Sequence, residues 1–433
     1  MLTDNIISKL KLGHKILNTA LFSIFCFLII PVGISYFSEK KQVRKAANKA
    51  TEAQKRIEAT AMAERIEQES KEKAKQRKLN WDNWNEEASQ KPQGGRGTYM
   101  AINFLGTHKT YTNHTKYTAT VLKNDETLAL REIINNSEAN AVFANAKDVY
   151  VAGYEETDID RPSHRIKKAT VWKNGVPFSL TDGNTNARAE SVFVHGKDIY
   201  VAGGEFNQSG FTVATLWKNG EPTTLTDENG RGSRAVSVYV SGSDVYVAGY
   251  CTGTVAKHGK DPEIHTIPTV WKNGEVFYSH PGDPSESYPI YVVNGDVYVA
   301  GREHAGAIHS AIILYKNGEP IQRYTNGYNQ AKAKSIFISG TDVYIAGSEA
   351  YSGNMRIPTL WKNGQVLYRL PFGTNNSEAT SLFVSDGNTY MTGEGYDRKT
   401  GSIYIVWKNG VAIWGPHRAE ARSVFAMSQT RVH

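Results

Sequence analysis

An all-β fold is what this sequence predicts: a seven-bladed β-propeller of four-stranded antiparallel blades, preceded by an N-terminal transmembrane helix and a long helical stalk. Three recurrences carry the propeller. The phrase (Trp/Tyr/Leu)-Lys-Asn-Gly starts at Trp172, Trp217, Trp271, Tyr315, Trp361 and Trp407, with a degenerate copy at Leu122-Lys123-Asn124-Asp125. Between copies runs Val-Tyr-Val-Ala-Gly, at Val149, Ile199, Val245, Val297 and Val343, and more loosely at Thr389. A short apolar strand is found at Ala141, Ser191, Ser237, Ile290, Ser335, Ser381 and Ser423. The period is about 44 to 54 residues. A repeat of that length, rich in strand formers and Gly turns, builds small sheets into a ring or solenoid.

The unit 191–225 shows the four strands. Ser191-Val192-Phe193-Val194 is the first, and His195-Gly196-Lys197-Asp198 is a turn. Ile199-Tyr200-Val201-Ala202-Gly203 is the second, and a longer loop leads to the third, Ala214-Thr215-Leu216-Trp217. Asn219-Gly220 predicts a two-residue hairpin, because a type I′ turn needs φ > 0 at both positions. A fourth strand ends at Leu225. The first two strands are nearly continuous apolar runs, as expected of strands covered on both faces. The Trp or Tyr before Lys-Asn-Gly is expected to fill the wedge between blades.

Counting strands predicts how the ring closes. The seventh first strand, Ser423-Val424-Phe425-Ala426, is followed only by a short tail. At the other end, Thr98-Tyr99-Met100-Ala101 reads as a second strand with no first. The two ends should complete one blade, with the C-terminal strand innermost, leaving no open edge.

Four segments follow: a tail at 1–15, a membrane span at 16–37, a charged helical stalk at 38–91 and the propeller at 92–433. Residues 16–37 contain no charged side chain, and about 20 apolar residues span a bilayer. A cleaved signal peptide is the competing reading, but the run is long for one and no Ala-x-Ala site follows. Lysines flank both ends, so the positive-inside rule does not fix orientation. A short tail before a single span favours a signal anchor, with the propeller exported to a periplasmic or extracellular space. The stalk lacks Pro and Gly and is dense in helix formers. Its apolar positions, Val43, Ile57, Met62, Ile66 and Leu79, make a sparse heptad seam, so a solvated stalk is expected ahead of a self-associating coiled coil. Trp81 and Trp84 close it and are expected to dock on the propeller.

The net charge is +7. Residues 1–37 carry three Lys/Arg and one Asp/Glu, residues 38–91 carry 14 and 10, and the remainder 33 and 32. The propeller is nearly neutral, which excludes a basic nucleic-acid groove. Of the two cysteines, Cys26 lies in the expected span and Cys251 in the propeller, so the propeller holds no disulfide framework.

Strand order puts the short Gly-x-Asp and Asn-Gly turns on one face and the variable loops on the other. Function concentrates on variable loops carried by a rigid scaffold, so the long-loop face is the expected binding face. There Val-Ala-Gly-x-Glu places Glu155, Glu205, Glu303 and Glu349 in one slot, shared by Cys251. They are the candidate ligand-binding residues. The competing reading is that each accepts hydrogen bonds from its own loop. Histidines are frequent on this face, but none has metal-ligand spacing, and no metal, other cofactor or catalytic residue is predicted. The turn residues Asp148, Asp198, Asp244, Asp296 and Asp342 read as local turn chemistry, and the lysines of Lys-Asn-Gly as a solvated ring on the tight-turn face.

By its two phrases the chain resembles uncharacterised bacterial seven-bladed propeller repeat proteins over residues 98–428. It lacks the Gly-His and Trp-Asp pairing of WD40 repeats, the repeated double Gly of kelch and the Asp box of sialidases. The resemblance implies fold and leaves function open. The leading expectation is a membrane-anchored, non-catalytic binding module that presents its loop face to a protein or glycan. The alternative is a hydrolase or lyase using carboxylates such as Glu205 and Glu303 at a central pocket. A converging, non-repeating cluster would favour the enzyme.

Overall fold

A computed structural model of the 433-residue chain describes residues 20–427, apart from 96, 108–114, 125, 129–135, 158–164, 226–231, 256–262, 280–288, 305–309, 326–329, 353–354, 372–374, 398–400 and 418. Over 20–50 most side chains lie outside that description. Two compact units are present, Met1–Lys75 and Gln76–His433. One helix, Ala20–Ser89, runs through the boundary. The expected membrane span lies outside the described residues at 16–19, and from Ala20 to residue 37 only its helical backbone is described. Among the described residues no helix is long and apolar enough to cross a membrane. In the stalk Ile57, Met62, Ile66 and Leu79 are exposed.

The second unit holds seven four-stranded antiparallel sheets, one per blade. Six take their strands in chain order. The seventh has the order Ala419–Met427, Gly97–Thr107, Thr115–Lys123, Glu126–Leu128. Tyr99 pairs with Phe425 and Met100 with Val424 in that sheet. The chain ends therefore close one blade, with the C-terminal strand innermost.

Each Asn-Gly hairpin takes the predicted turn. Asn174 and Gly175 sit at φ 49° and 82°, and Asn363 and Gly364 at 50° and 81°, the left-handed pair that a type I′ turn requires. The tryptophans before these turns are buried wedges. Trp172 packs with Tyr99 and Val121 of the preceding blade, and Trp217 with Val171 of the blade before its own.

The innermost strands add two devices. Among the described residues six of the seven carry a β-bulge, as between Ala139 and Ala141, Ala189 and Ser191, or Ala333 and Ser335. The Gly of Val-Tyr-Val-Ala-Gly lies opposite it. A Cβ on Gly153 would overlap the carbonyl oxygen of Glu138, so the bulged strand comes this close only to glycine. Beyond the bulge, toward the tight turns, Phe143, Phe193, Tyr239, Tyr291, Phe337, Phe383 and Phe425 form an unbroken collar. Neighbouring ring centroids lie 4.4 to 5.4 Å apart, and the last ring meets the first. Ser Oγ atoms next to the bulges join neighbouring blades: Val238 N donates to Ser191 Oγ at 3.2 Å and Val424 N to Ser381 Oγ at 3.1 Å.

The last turns of the helix, from Gln76 on, belong to the propeller unit. Trp81 and Trp84 are buried against Phe178, with centroids 5.0 and 5.3 Å away. Trp84 Nε1 donates to the carbonyl of Val176 at 3.0 Å, and Trp81 lies against Gly220. The docking site is thus the third-to-fourth strand turns of two adjacent blades, on the tight-turn face.

Candidate ligand site at the loop end of the blades

The tight-turn face is a repeated clip. In five blades the turn Asp receives the Asn of Lys-Asn-Gly: Asn219 Nδ2 donates to Asp198 Oδ1 at 2.7 Å and Asn363 Nδ2 to Asp342 Oδ1 at 2.8 Å. The Asn Oδ1 accepts from the start of the second strand, as from Val343 N at 2.9 Å. The Lys reaches the other carboxylate oxygen, 3.0 Å for Lys218–Asp198 and 2.8 Å for Lys272–Asp244, Lys316–Asp296 and Lys362–Asp342. It also lies over the Tyr of Val-Tyr-Val-Ala-Gly, 5.2 Å from the Tyr344 centroid for Lys362. Apart from the buried Lys173 the lysines keep solvent exposure, as expected of a ring on this face, but each described ammonium also has an anion or an aromatic face. The donated hydrogen bonds from Lys and Asn hold Asp244, Asp296 and Asp342 below the usual carboxylate range.

In the blade that receives the helix this clip is buried. Lys173 Nζ donates to Asn85 Oδ1 at 2.7 Å and to Ser89 Oγ at 2.5 Å, and lies 3.5 Å from Asp148. Asn174 Nδ2 donates to the carbonyl of Ala88 at 3.0 Å and to Asp148 Oδ1 at 2.6 Å. Burial pulls the Lys173 ammonium down, opposed by Asp148.

The expected ligand glutamates do share one register position, two residues after the glycine of the second strand. Glu155 pairs with Ser137, Glu205 with Ala187, Glu303 with Ala311 and Glu349 with Ala331. They lie one per blade and are not brought together. Glu349 is taken by Arg369 at 3.0 Å and Glu205 accepts from Thr185 Oγ1 at 3.0 Å. Burial raises the carboxyl of Glu155, opposed by Lys168, and that of Glu205, opposed by the Thr185 hydrogen bond. The side chain of Glu303 lies outside the described residues, as do His108, His114, His164, His258, His280 and His309.

A different slot does converge. On the innermost strand, immediately before the Ala that precedes the bulge, stand Glu138, Arg188, Arg234, Lys332 and Glu378. This position changes charge from blade to blade. Around two of these residues an asymmetric cluster forms. Tyr154 Oη donates to Glu138 Oε1 in a short hydrogen bond. The Arg188 guanidinium lies 4.6 Å and Lys167 Nζ 4.5 Å from the Tyr154 ring centroid. Arg234 pairs with Glu190 across the next blade boundary, and Arg165 lies 3.8 Å from the buried Glu156. Burial and the Arg188 charge pull the Lys167 ammonium down, opposed by Glu138 and Glu156.

No family model and no curated protein matches this chain. Solved structures with a similar arrangement include the β-propeller domain of the Trilobed protease from Pyrococcus furiosus, at 9% identity and a TM-score of 0.44, covering 76% of this chain and 95% of that one. Drosophila Semaphorin 1a, extracellular domains 1-2, matches at 10% identity and 0.37, covering 70% and 85%. A Bombyx mori GH32 beta-fructofuranosidase matches at 10% and 0.33, covering 70% and 83%. The propeller assignment rests on the strand pairing and not on these likenesses.

Sequence reasoning missed the charged slot because it followed what repeats. The signal was present as a charged residue before a recurrent alanine: Glu138-Ala139, Arg188-Ala189, Arg234-Ala235, Lys332-Ala333, Glu378-Ala379 and Glu420-Ala421.

Proposed function

We propose that the chain is a membrane-anchored, non-catalytic binding module whose propeller offers its long-loop face to a protein or glycan. The observation that carries this reading is the contrast between the two faces. Side chains of the tight-turn face are consumed in clips and in helix docking. The loop end keeps charged groups that differ from blade to blade. In this reading 16–37 is the tether, the propeller is exported, and the assignment to uncharacterised bacterial propeller repeat proteins rests on the two repeated phrases. Glu155, Glu205, Glu303 and Glu349 are rim contacts, joined by Glu138 and Arg188 of the innermost strands and Lys167 of a third strand.

The alternative, a hydrolase or lyase, is favoured by two observations. The cluster around Tyr154 is singular, and Glu205 has a carboxyl raised by burial, as a general acid needs. The test is a binding screen with the full chain against protein and glycan panels, followed by two quadruple variants. Changing Glu155, Glu205, Glu303 and Glu349 to Gln should weaken capture. Changing Lys173, Lys218, Lys272 and Lys362 to Gln should lower stability and leave capture nearly intact. The reverse pattern puts the site on the other face, and conversion of a captured glycan supports the enzyme.

A further inference from the structure

We infer that Lys167 and Arg188 form the carboxylate-receiving end of a site for an acidic sugar, one carrying a single carboxylate among hydroxyl groups. The inference rests on the loop face being the binding face and names the ligand chemistry of one part of it.

Two half-buried cations lie against one tyrosine ring, at 4.5 and 4.6 Å from its centroid. Among the described residues neither the Lys167 ammonium nor the Arg188 guanidinium has a hydrogen bond or an ion pair with a carboxylate. Elsewhere on the innermost strands like positions are matched across blade boundaries, Arg234 with Glu190 and Lys334 with Glu378. Two cations brought out of water side by side repel each other and lose hydration. The lowered Lys167 ammonium is the expected consequence. An anion within reach of both removes both costs.

The neighbouring carboxylates choose the kind of anion. Glu138 and Glu156 both act on the Lys167 ammonium, and ionised carboxylates only accept hydrogen bonds. Glu138 receives Tyr154 through Oε1, which leaves Oε2 for a donor. Glu156 Oε2 is buried without a hydrogen-bond partner, with Arg165 3.8 Å away. Two acidic groups repel a phosphate dianion more than a monoanion. A ligand with one carboxylate for the cations and hydroxyl donors for the acids matches the whole set. Tyr154 itself is buried and its hydroxyl is committed, so it positions the cations and does not stack on the ligand.

The test uses the full chain and calorimetric titration with D-glucuronate, its neutral methyl ester, D-glucose and inorganic phosphate. Glucuronate should bind, and the ester and glucose at least about tenfold more weakly, the scale of one charge-assisted hydrogen bond. K167Q and R188Q should each weaken glucuronate about tenfold, with unchanged circular dichroism. K167R should retain binding, which separates lost charge from lost fold. K218Q, on the tight-turn face, should bind as the unaltered protein does. Phosphate binding as tightly as glucuronate, or glucose as tightly as glucuronate, would overturn the acidic-sugar class. If glucose binding were then lost in R188Q, the loop-face reading would still stand. Glucuronate binding unaffected by both Lys167 and Arg188 variants, or no glucuronate binding, would overturn this inference, while the capture experiment with the quadruple variants judges the loop face separately.

Discussion

Replacing Asn174 by Gly should cost about twice what the same change costs at Asn363, because Asn174 gains two further hydrogen bonds from the helix end and the segment after it. Both residues have φ near 50°, so glycine keeps the turn and the change in backbone entropy is common to both. Asn363 makes two hydrogen bonds, to Asp342 Oδ1 at 2.8 Å and from Val343 N at 2.9 Å. Asn174 makes the same two, with Asp148 at 2.6 Å and Val149 N at 2.9 Å. It adds a bond to the Ala88 carbonyl at 3.0 Å and one from Gln93 N at 3.3 Å. At about 1 kcal/mol net per hydrogen bond, the losses are about 4 kcal/mol for N174G and about 2 kcal/mol for N363G. A ring of seven blades need not unfold in one step, so a single melting temperature is a poor reporter. Native-state amide exchange reads each turn by itself. Protection of Val149 N and Ala88-region amides should fall together in N174G, and protection of Val343 N alone in N363G. Equal losses, or an undisturbed helix end in N174G, would refute the claim that the buried clip fastens the helix.

The remaining expectations concern the clip's charges, the collar and the closure. Folding lowers the carboxyls of Asp198, Asp244, Asp296 and Asp342, so their stabilisation is complete above the unfolded value, about 3.9, and is lost as pH falls through the lower folded values. Urea unfolding between pH 5 and 2 should show this loss, and the quadruple Asp→Asn variant should flatten it. Phe337→Ala removes a ring in contact with two collar neighbours at 4.9 Å each and should cost about 3 kcal/mol, with Phe337→Leu recovering part of it. Deleting residues 419–433 removes the innermost strand of the closing blade, so the truncated protein should aggregate or melt earlier; a monomer with unchanged melting would contradict the closure.

The blade count, the hairpin turns, the buried tryptophans and the closing strand were legible because each depends on local chemistry that duplication copied. Asn-Gly fixes a turn wherever it falls, and Trp172 or Trp361 finds the same wedge in every blade. The clip was half legible. Asp198 reads as a turn residue and Lys218 as a surface residue, yet they are 20 positions apart and meet only once the second and third strands pair. The collar was hidden for the same reason, since a Phe or Tyr within each first strand reads as ordinary core. The charged slot was hardest to see, because Glu138, Arg188 and Lys167 meet only through strand pairing and blade packing, and a search for recurrence discards what differs between blades.

The claim that ligands enter from the long-loop face is tested most directly by placing a photoreactive amino acid on each face of one blade. Phe211 lies in the loop between the second and third strands and is exposed, and Lys197 is exposed in the tight turn between the first and second. With the binding partner from the capture screen, cross-linking at position 211 and none at position 197 is the predicted result. Cross-linking at 197 and none at 211 would contradict the account.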